Sequence, residues 1–242
     1  MPERTRTEDQ LFMRLMRSIV RDDKQSVAKL LATTPLLARQ RMSVGATRNA
    51  ATDFFFEEIR HYLYAGDTPL HAAAAGYRLE IARMLIEHGA DVQAANRRGA
   101  QPLHYAADGV PGSRYWNPEA QAKVIALLMN AGADANALDK SGVTPLHRAV
   151  RQRCVAAVDS LLRNGSDVRL KNKNGSTPMH LAVQNTGRGG TGSRESRALQ
   201  KDIIGLLLSA GASLHDRDAR GRTVHQAVQS DWIRPVLRGN SL

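Results

Sequence analysis

The chain has 242 residues, of which 42% are hydrophobic, and this is enough for one large domain or two ordinary ones with a real core. No run approaches the roughly 18 consecutive apolar residues of a membrane span, the start of the chain lacks the apolar run of a secretory signal, and the lone Cys154 excludes an internal disulfide and a thiolate metal site. We therefore expect a cytoplasmic protein, with secretion as an effector left open, and the formal charge of +11 favours acidic partners: nucleic acid, an anionic membrane or an acidic protein face.

The start of the chain predicts helical structure. Residues 9–37 carry apolar side chains at helical spacing, namely Leu15, Ile19, Val27, Leu30 and Leu31. The segment lacks the motif that recurs further along the chain. We interpret it as a degenerate copy of the recurring unit, placed where it caps one end.

Three of the four phenylalanines of the chain stand together at 54–56. The residues around them, 53–64, predict a short helix, and residues 38–52 predict a flexible link to the preceding segment. We expect Phe54, Phe55 and Phe56 to pack on the neighbouring unit. The alternative is an exposed aromatic element that contacts a partner.

One motif recurs five times after residue 66. Its copies read DTPLHAAAAG, AQPLHYAADG, VTPLHRAVRQ, STPMHLAVQN and RTVHQAVQS. Thr68 and Gln101 are 33 residues apart, as are Thr144 and Thr177, so the underlying period is 33 residues. The two longer intervals contain insertions of 10 and 13 residues. A fixed period of this length indicates an array of stacked units.

Each of the first four copies carries the signals of two helices and a turn. A proline stands where the first turn of a helix tolerates a missing N–H, at Pro69, Pro102, Pro145 and Pro178. A glycine ends the second apolar helix, at Gly89, Gly132, Gly165 and Gly211. A turn rich in Asn, Asp and Gly then follows, at 96–99, 139–142, 172–175 and 218–221.

The succession of TPLH, a leucine-rich helix ending in Gly-Ala-Asp and a D-x-x-G turn closely resembles the ankyrin repeat, over residues 66 to about 238. The resemblance implies an all-α solenoid that acts as a protein-interaction scaffold and not as an enzyme. Residues 1–37 are then an N-terminal capping repeat, 38–65 a linker and aromatic helix, and 66–242 the repeat stack. The last unit has Val224 in place of proline, and its apolar residues resemble a C-terminal cap: Trp232, Ile233, Val236 and Leu237.

Most histidines of the chain belong to the repeat. Five of the eight stand at or near the fourth position of the motif: His71, His104, His147, His180 and His225. In the family that the motif resembles, this histidine makes a structural hydrogen bond, so we expect no catalytic residue, metal site or cofactor. The sequence GRGGTGS at 187–193 lacks the lysine and the preceding strand of a phosphate loop, and Cys154 is interpreted as a small buried packing group.

The two insertions, near 109–118 and 185–197, fall between the first and second helices of their repeats. They are long enough to meet over the third repeat and to form a site for a phosphate, a carboxylate or an acidic peptide. The alternative is that they are solvated loops whose aromatic residues lie on the repeat beneath. The residues expected to form the site are Arg114, Tyr115, Trp116, Arg148, Arg151, Arg153, Arg188, Arg194 and Arg197.

These observations predict a monomeric scaffold that binds an acidic protein through its concave face and inserted loops. The alternatives are non-specific nucleic-acid binding, which the charge favours but no motif supports, and binding of a small anion between the insertions. The predicted partner-binding residues are Arg97, Arg98, Tyr115, Trp116, Lys140, Arg148, Arg151, Gln152, Arg153, Lys173, Gln184, Arg188 and Arg194.

Overall fold

The computed structural model describes residues 6–47, 49–185 and 192–239. Its helices are α1 (Arg6–Val20), α2 (Lys24–Thr33), α3 (Pro69–Ala75), α4 (Leu79–Glu87), α5 (Pro102–Ala107), α6 (Pro118–Asn130), α7 (Pro145–Arg151), α8 (Val155–Arg163), α9 (Pro178–Ala182), α10 (Arg194–Ser209), α11 (Val224–Ala227) and α12 (Ile233–Gly239). Within these ranges the only strands are β1 (Phe55–Phe56) and β2 (His61–Tyr62). The predicted all-α class is confirmed. None of the described helices combines the length and the apolar composition that crossing a membrane requires.

The chain divides into two compact units, residues 1–106 with 119–134 and residues 107–118 with 135–242. The helices come in pairs, whose first member we call helix A and whose second member we call helix B. In the first unit α1 packs on α3 and α2 on α4, so the N-terminal pair stacks on the next pair helix for helix. In the second unit α7 packs on α9, α8 on α10, α9 on α11 and α10 on α12.

The TPLH motif begins helix A through a reciprocal pair of hydrogen bonds. In the third repeat the Thr144 hydroxyl accepts the His147 N–H at 3.2 Å, and the Thr144 N–H donates to Nδ1 of His147 at 3.3 Å. The proline between them needs no N–H partner. Thr68 with His71 and Thr177 with His180 repeat this arrangement, so the structural role predicted for these histidines is confirmed.

The same histidines also join consecutive repeats. Because Nδ1 accepts a hydrogen bond, Nε2 carries the proton, and it donates to a carbonyl of the next tip: His71 to Ala100 at 3.0 Å and His147 to Ser176 at 2.9 Å. Burial, above all, lowers the pKa of His71 and of His147, which keeps both rings neutral.

The last repeat departs from the predicted pattern at its histidine. His225 lies one position too early for the reciprocal pair and is exposed. Gln226 takes the role instead, since its Oε1 accepts the Thr223 N–H at 2.9 Å and its own N–H donates to the Thr223 hydroxyl at 3.3 Å. A glutamine can therefore replace the histidine without loss of the helix start.

Helix A ends on a buried carbonyl that the following turn must satisfy. In the uninterrupted repeats the N–H of the residue just before helix B does this: Arg78 donates to Ala73 at 2.9 Å and Cys154 to Ala149 at 3.0 Å. The preceding residue is left-handed in each case, with φ of 55° at Tyr77 and 63° at Arg153. Cys154 is fully buried at this corner.

The two inserted repeats lack this tight turn and satisfy the same carbonyl with a side chain. Gln121 donates its Nε2 to Ala106 at 2.9 Å, and Gln200 donates its Nε2 to Ala182 at 2.6 Å. Both glutamines are fully buried, and both stand at the repeat position of Cys154. A side-chain amide therefore replaces a backbone amide where the chain leaves the regular path.

The insertions lengthen helix B as well as the loops before it, which corrects their predicted extent. The helices α4 and α8 have 9 residues each, whereas α6 has 13 and α10 has 16. Pro118 is suited to the first position of α6, and the Ser193 hydroxyl caps α10 by accepting the Ser196 N–H at 3.1 Å. Residues 118 and 194–197, predicted as loop, are therefore helical.

The predicted flexible link over 38–52 is largely fixed by backbone pairing with the start of the first full repeat. The Met42 N–H donates to the Asp67 carbonyl at 2.7 Å, and the Gly66 N–H donates to the Met42 carbonyl at 2.8 Å. Met42 is buried. Residues 38–47 are thus an ordered part of the first unit.

The predicted helix over 53–64 is replaced by a small antiparallel hairpin. Phe55 pairs with Tyr62 across β1 and β2, and their rings lie 4.8 Å apart between centroids. Consecutive aromatic residues favour extended backbone, and Arg60, with φ of 50°, turns the chain between the strands. Phe54, Phe55 and Phe56 are half-buried.

We predict that replacing either buried glutamine with methionine destabilises the protein. Gln200→Met and Gln121→Met keep the side-chain length but remove the donor, leaving the end of helix A unsatisfied, at a cost of about 1–3 kcal/mol. Urea denaturation of each variant measures this cost. Gln93→Met is the matched control, because exposed Gln93 also donates to a carbonyl, that of Gly132, and its loss should change stability by less than about 0.5 kcal/mol.

We also predict a loss of stability on acidification that depends on His147. Because the folded-state pKa lies below the ordinary value of 6.5, the unfolded chain takes up the proton first. The free energy of unfolding is therefore greatest above that value and falls as the pH drops below it. His147→Gln, which copies the arrangement at Gln226, should reduce this slope by up to about 1.4 kcal/mol per pH unit.

Denaturation at several pH values measures the slope for wild type and variant. His225→Gln, which removes an exposed histidine that takes no part in a helix start, is the control for the loss of a histidine as such. Equal slopes for wild type and His147→Gln would show that His147 accepts a proton in the folded state as readily as in the unfolded chain.

Candidate functional site

Four turns at the tips of the repeats share one construction, and we call 96–99, 139–142, 172–175 and 218–221 the tip turns. In the second of these, Oδ1 of Asp139 accepts the N–H groups of Ser141 at 2.8 Å and Val143 at 3.0 Å. Asn96, Asn172 and Asp218 bind the equivalent N–H groups. Each turn closes on a left-handed glycine, so the tips are rigid.

Consecutive tip turns of the second unit are also joined to one another. The Lys173 N–H donates to the Ser141 carbonyl at 3.0 Å, and the Ala219 N–H donates to the Asn174 carbonyl at 3.0 Å. Two predicted binding residues, Lys140 and Lys173, therefore lie in neighbouring, linked turns. Both side chains are exposed, and neither has a described carboxylate within ion-pair distance.

Arg148 makes a buried ion triad with Asp108 and Asp139, and we call these three residues the Arg148 triad. Nη1 lies 2.8 Å from Oδ2 of Asp108, and Nη2 lies 3.2 Å from Oδ2 of Asp139. The side chain of Arg148 is only 11% exposed. Asp108 begins the first insertion and Asp139 begins a tip turn, so the triad ties the insertion to the tip.

The charges within the triad reinforce one another. Burial alone would lower the pKa of Arg148, but attraction and hydrogen bonding from Asp108, then from Asp139, outweigh it and raise that pKa above its ordinary value. Burial likewise acts to raise the pKa of Asp139, yet the N–H groups of Val143 and Ser141, and then Arg148, lower it. Arg148 and Asp139 are therefore ionised, and the triad sets one positive charge against two carboxylates.

The first unit uses the same helix position for the same purpose. Tyr105 stands where Arg148 stands in the next repeat, and its hydroxyl donates to Oδ2 of Asp67 at 2.8 Å. Asn96 of the tip turn donates to Oδ1 of Asp67 at 2.8 Å and to the Tyr105 hydroxyl at 3.0 Å. Asp67 follows directly on the segment 38–66, so this buried network ties that segment to a tip turn as well.

The other predicted binding residues of the third repeat differ in exposure and in the hydrogen bonds that they make within the protein. Arg151 is exposed, one helical turn beyond Arg148, and Gln152 beside it is half-buried. Arg153 donates Nη1 to the Val150 carbonyl at 3.0 Å and Nη2 to the Gln184 carbonyl at 3.1 Å, so its guanidinium joins helices α7 and α9.

Arg97 and Arg98 lie in the first unit, and both contact the ring of Tyr64. Their guanidinium carbons are 5.8 Å and 4.8 Å from the centre of that ring. Arg97 also donates Nη2 to the Ala46 carbonyl. Of these two exposed arginines, only Arg97 therefore has its guanidinium hydrogen-bonded to this backbone carbonyl.

The two aromatic residues of the first insertion, Tyr115 and Trp116, have different surroundings. Tyr115 stacks with exposed Arg114, whose guanidinium carbon lies 4.7 Å from the ring centre. Trp116 is half-buried and lines an open groove of about 1020 Å³ on helices α8, α10 and α12, together with Val155, Leu206 and Val236.

Of the second insertion, Arg188 lies outside the described residues. Arg194 is exposed at the start of α10, and the guanidinium carbon of Arg197 lies 5.8 Å from the ring centre of Trp232.

Sequence reasoning missed Asp108 as a functional residue. A signal was present: the position after the motif histidine is Ala72 and Leu181 in two other repeats but Arg148 in the third. An arginine at a position that is otherwise apolar needs carboxylates nearby. The sequence did not indicate which carboxylates these were.

We predict that Arg148→Leu, which copies Leu181, costs about 3–5 kcal/mol, because it leaves two carboxylates that are 14% and 10% exposed without their cation. The double variant Arg148→Leu with Asp108→Asn should be less destabilised, since it removes one of those charges. Urea denaturation compares the two. A cost below about 1 kcal/mol for Arg148→Leu would contradict a buried, ionised triad.

Known proteins resemble this chain through the repeats. The mouse (Mus musculus) and rat (Rattus norvegicus) proteins named transient receptor potential cation channel subfamily V member 5 are each 43% identical over 70 residues, which are 28% of this chain and 10% of theirs. Notch-regulated ankyrin repeat-containing protein A of Danio rerio is 43% identical over 44 residues, 18% of this chain and 39% of that protein. The chain therefore spans only a small part of the two channels. A family model described as ankyrin repeats in three copies matches residues 15–114 and 118–218, and the chain belongs to the ankyrin-repeat family.

Proposed function

We propose that this protein binds an acidic segment of a partner protein through exposed cations on the tip turns and helix A of its second unit. Ankyrin repeats generally mediate protein–protein interaction, and the proposal adds the site and the chemistry of the partner. The cations that carry it are Lys140, Arg151 and Lys173. A cytoplasmic location and a monomeric state remain predictions of the sequence.

The uneven distribution of charge is the observation that supports this most strongly. The second unit contains 18 lysine and arginine residues against 9 aspartate and glutamate residues, whereas the first contains 16 against 14. Of the net charge of +11, the second unit therefore carries +9. A surface of one sign attracts a partner of the other sign and speeds its encounter.

Internal ion pairs increase this asymmetry at the surface. Besides the two aspartates of the Arg148 triad, Asp159 pairs with Arg163 at 2.9 Å and Asp218 with Arg222 at 2.8 Å. These contacts use negative charges of the second unit within the protein. Lys140, Arg151 and Lys173 keep their charges free for a partner.

The rigidity of the tips supports binding at low entropic cost. Each tip turn is closed by two side-chain hydrogen bonds, and the three tip turns of the second unit are linked to one another, so little backbone freedom remains to be lost there. By contrast, a small anion held between the insertions gains little support from Arg148 and Arg153, whose guanidinium groups already donate within the protein.

We predict that Lys140→Glu, Arg151→Glu and Lys173→Glu together weaken partner binding by about tenfold or more, because each replaces an attraction with a repulsion. Capture from nuclease-treated lysate, followed by mass spectrometry and titration of the recovered protein, measures this. Reversal of three exposed cations elsewhere in the unit, Arg169, Lys201 and Arg238, makes the same change in net charge and is the control.

A partner lost by the first variant and kept by the control supports the proposed site. Equal retention by both variants would exclude these residues as the site. Recovery of nothing but nucleic acid, released by moderate salt, would instead favour the phosphate-binding alternative.

A further inference from the structure

Two of the exposed large aliphatic side chains lie close to the Arg148 triad. Val110 is 45% exposed in the first insertion, and Leu138 is 55% exposed at the edge of a tip turn. Val110 follows Asp108 by two residues, and Leu138 directly precedes Asp139. Because both aspartates bind the same guanidinium, the triad holds together the two chain segments that carry these apolar residues.

The loop that carries Val110 is preorganised. Pro111 and Gly112 occupy the central positions of a turn in which the Ser113 N–H donates to the Val110 carbonyl at 2.9 Å. Gly112 has φ of 87°, as the second central residue of a type II turn requires. Proline and this hydrogen bond fix the turn on one side of Val110, and the triad fixes the chain on the other.

The surroundings of the two aliphatic residues are cationic. Lys140 is two residues from Leu138, and Arg151 follows Arg148 by one helical turn on the same face of α7. The carboxylates of Asp108 and Asp139 are only 14% and 10% exposed and share the charge of Arg148, so the triad, Lys140 and Arg151 together carry +1. An apolar centre with a charged rim is the usual anatomy of a protein-binding surface.

We infer that Val110 and Leu138 form the apolar centre of a composite surface, built from the first insertion and a tip turn, that binds an acidic segment carrying apolar side chains. The inference rests on the proposed function and specifies what the partner must contain beyond negative charge. Arg148 acts as a positioning residue for this surface and does not contact the partner.

Fluorescence anisotropy with three probes tests this: a glutamate-rich peptide with two leucines one helical turn apart, the same peptide with serines in their place, and duplex DNA of equal charge. Wild type should bind the leucine peptide about tenfold more tightly than the serine peptide, since two aliphatic side chains are removed from water. Val110→Ser with Leu138→Ser should abolish this preference and leave the serine peptide unaffected.

Leu36→Ser with Val44→Ser is the matched control, because Leu36 and Val44 are also exposed aliphatic residues, 69% and 63%, but lie in the first unit. It should keep the full preference. Equal affinity of wild type for the two peptides, with loss of both on reversal of Lys140 and Arg151, would overturn the apolar centre and leave the proposed function intact. Tighter binding of DNA than of either peptide would overturn both.

Asp108→Asn tests the positioning role. It should increase amide hydrogen exchange over 109–113 and weaken the preference for leucine, although Val110 and Leu138 are unchanged. Faster exchange with an undiminished preference would show that the insertion contributes nothing to the surface.

Discussion

The carbonyl at the end of each helix A is buried against the next helix, and it must find a hydrogen-bond donor. In the regular repeats the donor is the N–H of the residue just before helix B, which reaches back only when the residue preceding it is left-handed. Asp22, Tyr77 and Arg153 adopt that conformation although none is glycine, at a cost of roughly 1–2 kcal/mol each. An unsatisfied buried carbonyl costs as much or more, so the fold accepts the strain.

This requirement decides how the repeats can be lengthened. An insertion between helix A and helix B removes the backbone donor, yet the helices still stack on their neighbours. In these repeats helix B begins one or two turns earlier. The side-chain amides of Gln121 and Gln200 then donate to the carbonyl in place of the missing backbone N–H. The insertions are therefore accommodated by a specific substitution at one repeat position, and the inserted residues do not need to pack as a tight turn.

The repeat period made much of the fold predictable. Proline and histidine at fixed spacing determine the start of helix A, the tautomer of the ring and its bond to the next tip, all of which are local or separated by one period. The segment 38–64 has no such period, and Met42 within it pairs with the distant residues 66 and 67, which no local signal indicates. At the site, the recurring turns revealed Lys140 and Lys173. Asp108 escaped prediction because it meets Arg148 across 40 residues of sequence.

The position after the motif histidine shows how the family scaffold acquires individual surfaces. Tyr105 and Arg148 both stand there, and each fastens a non-repeating segment to the tip turn of its own repeat. A buried ion triad contributes more to geometry than to net stability, because desolvation offsets much of the attraction. Arg148 has a second effect that a neutral residue such as Tyr105 cannot have: it reduces the charge of the two carboxylates beside the tip turn from −2 to −1. Together with Lys140 and Arg151 the triad then carries +1, whereas without Arg148 the same groups would carry no net charge. A single arginine therefore both positions the inserted loop and keeps the surface cationic.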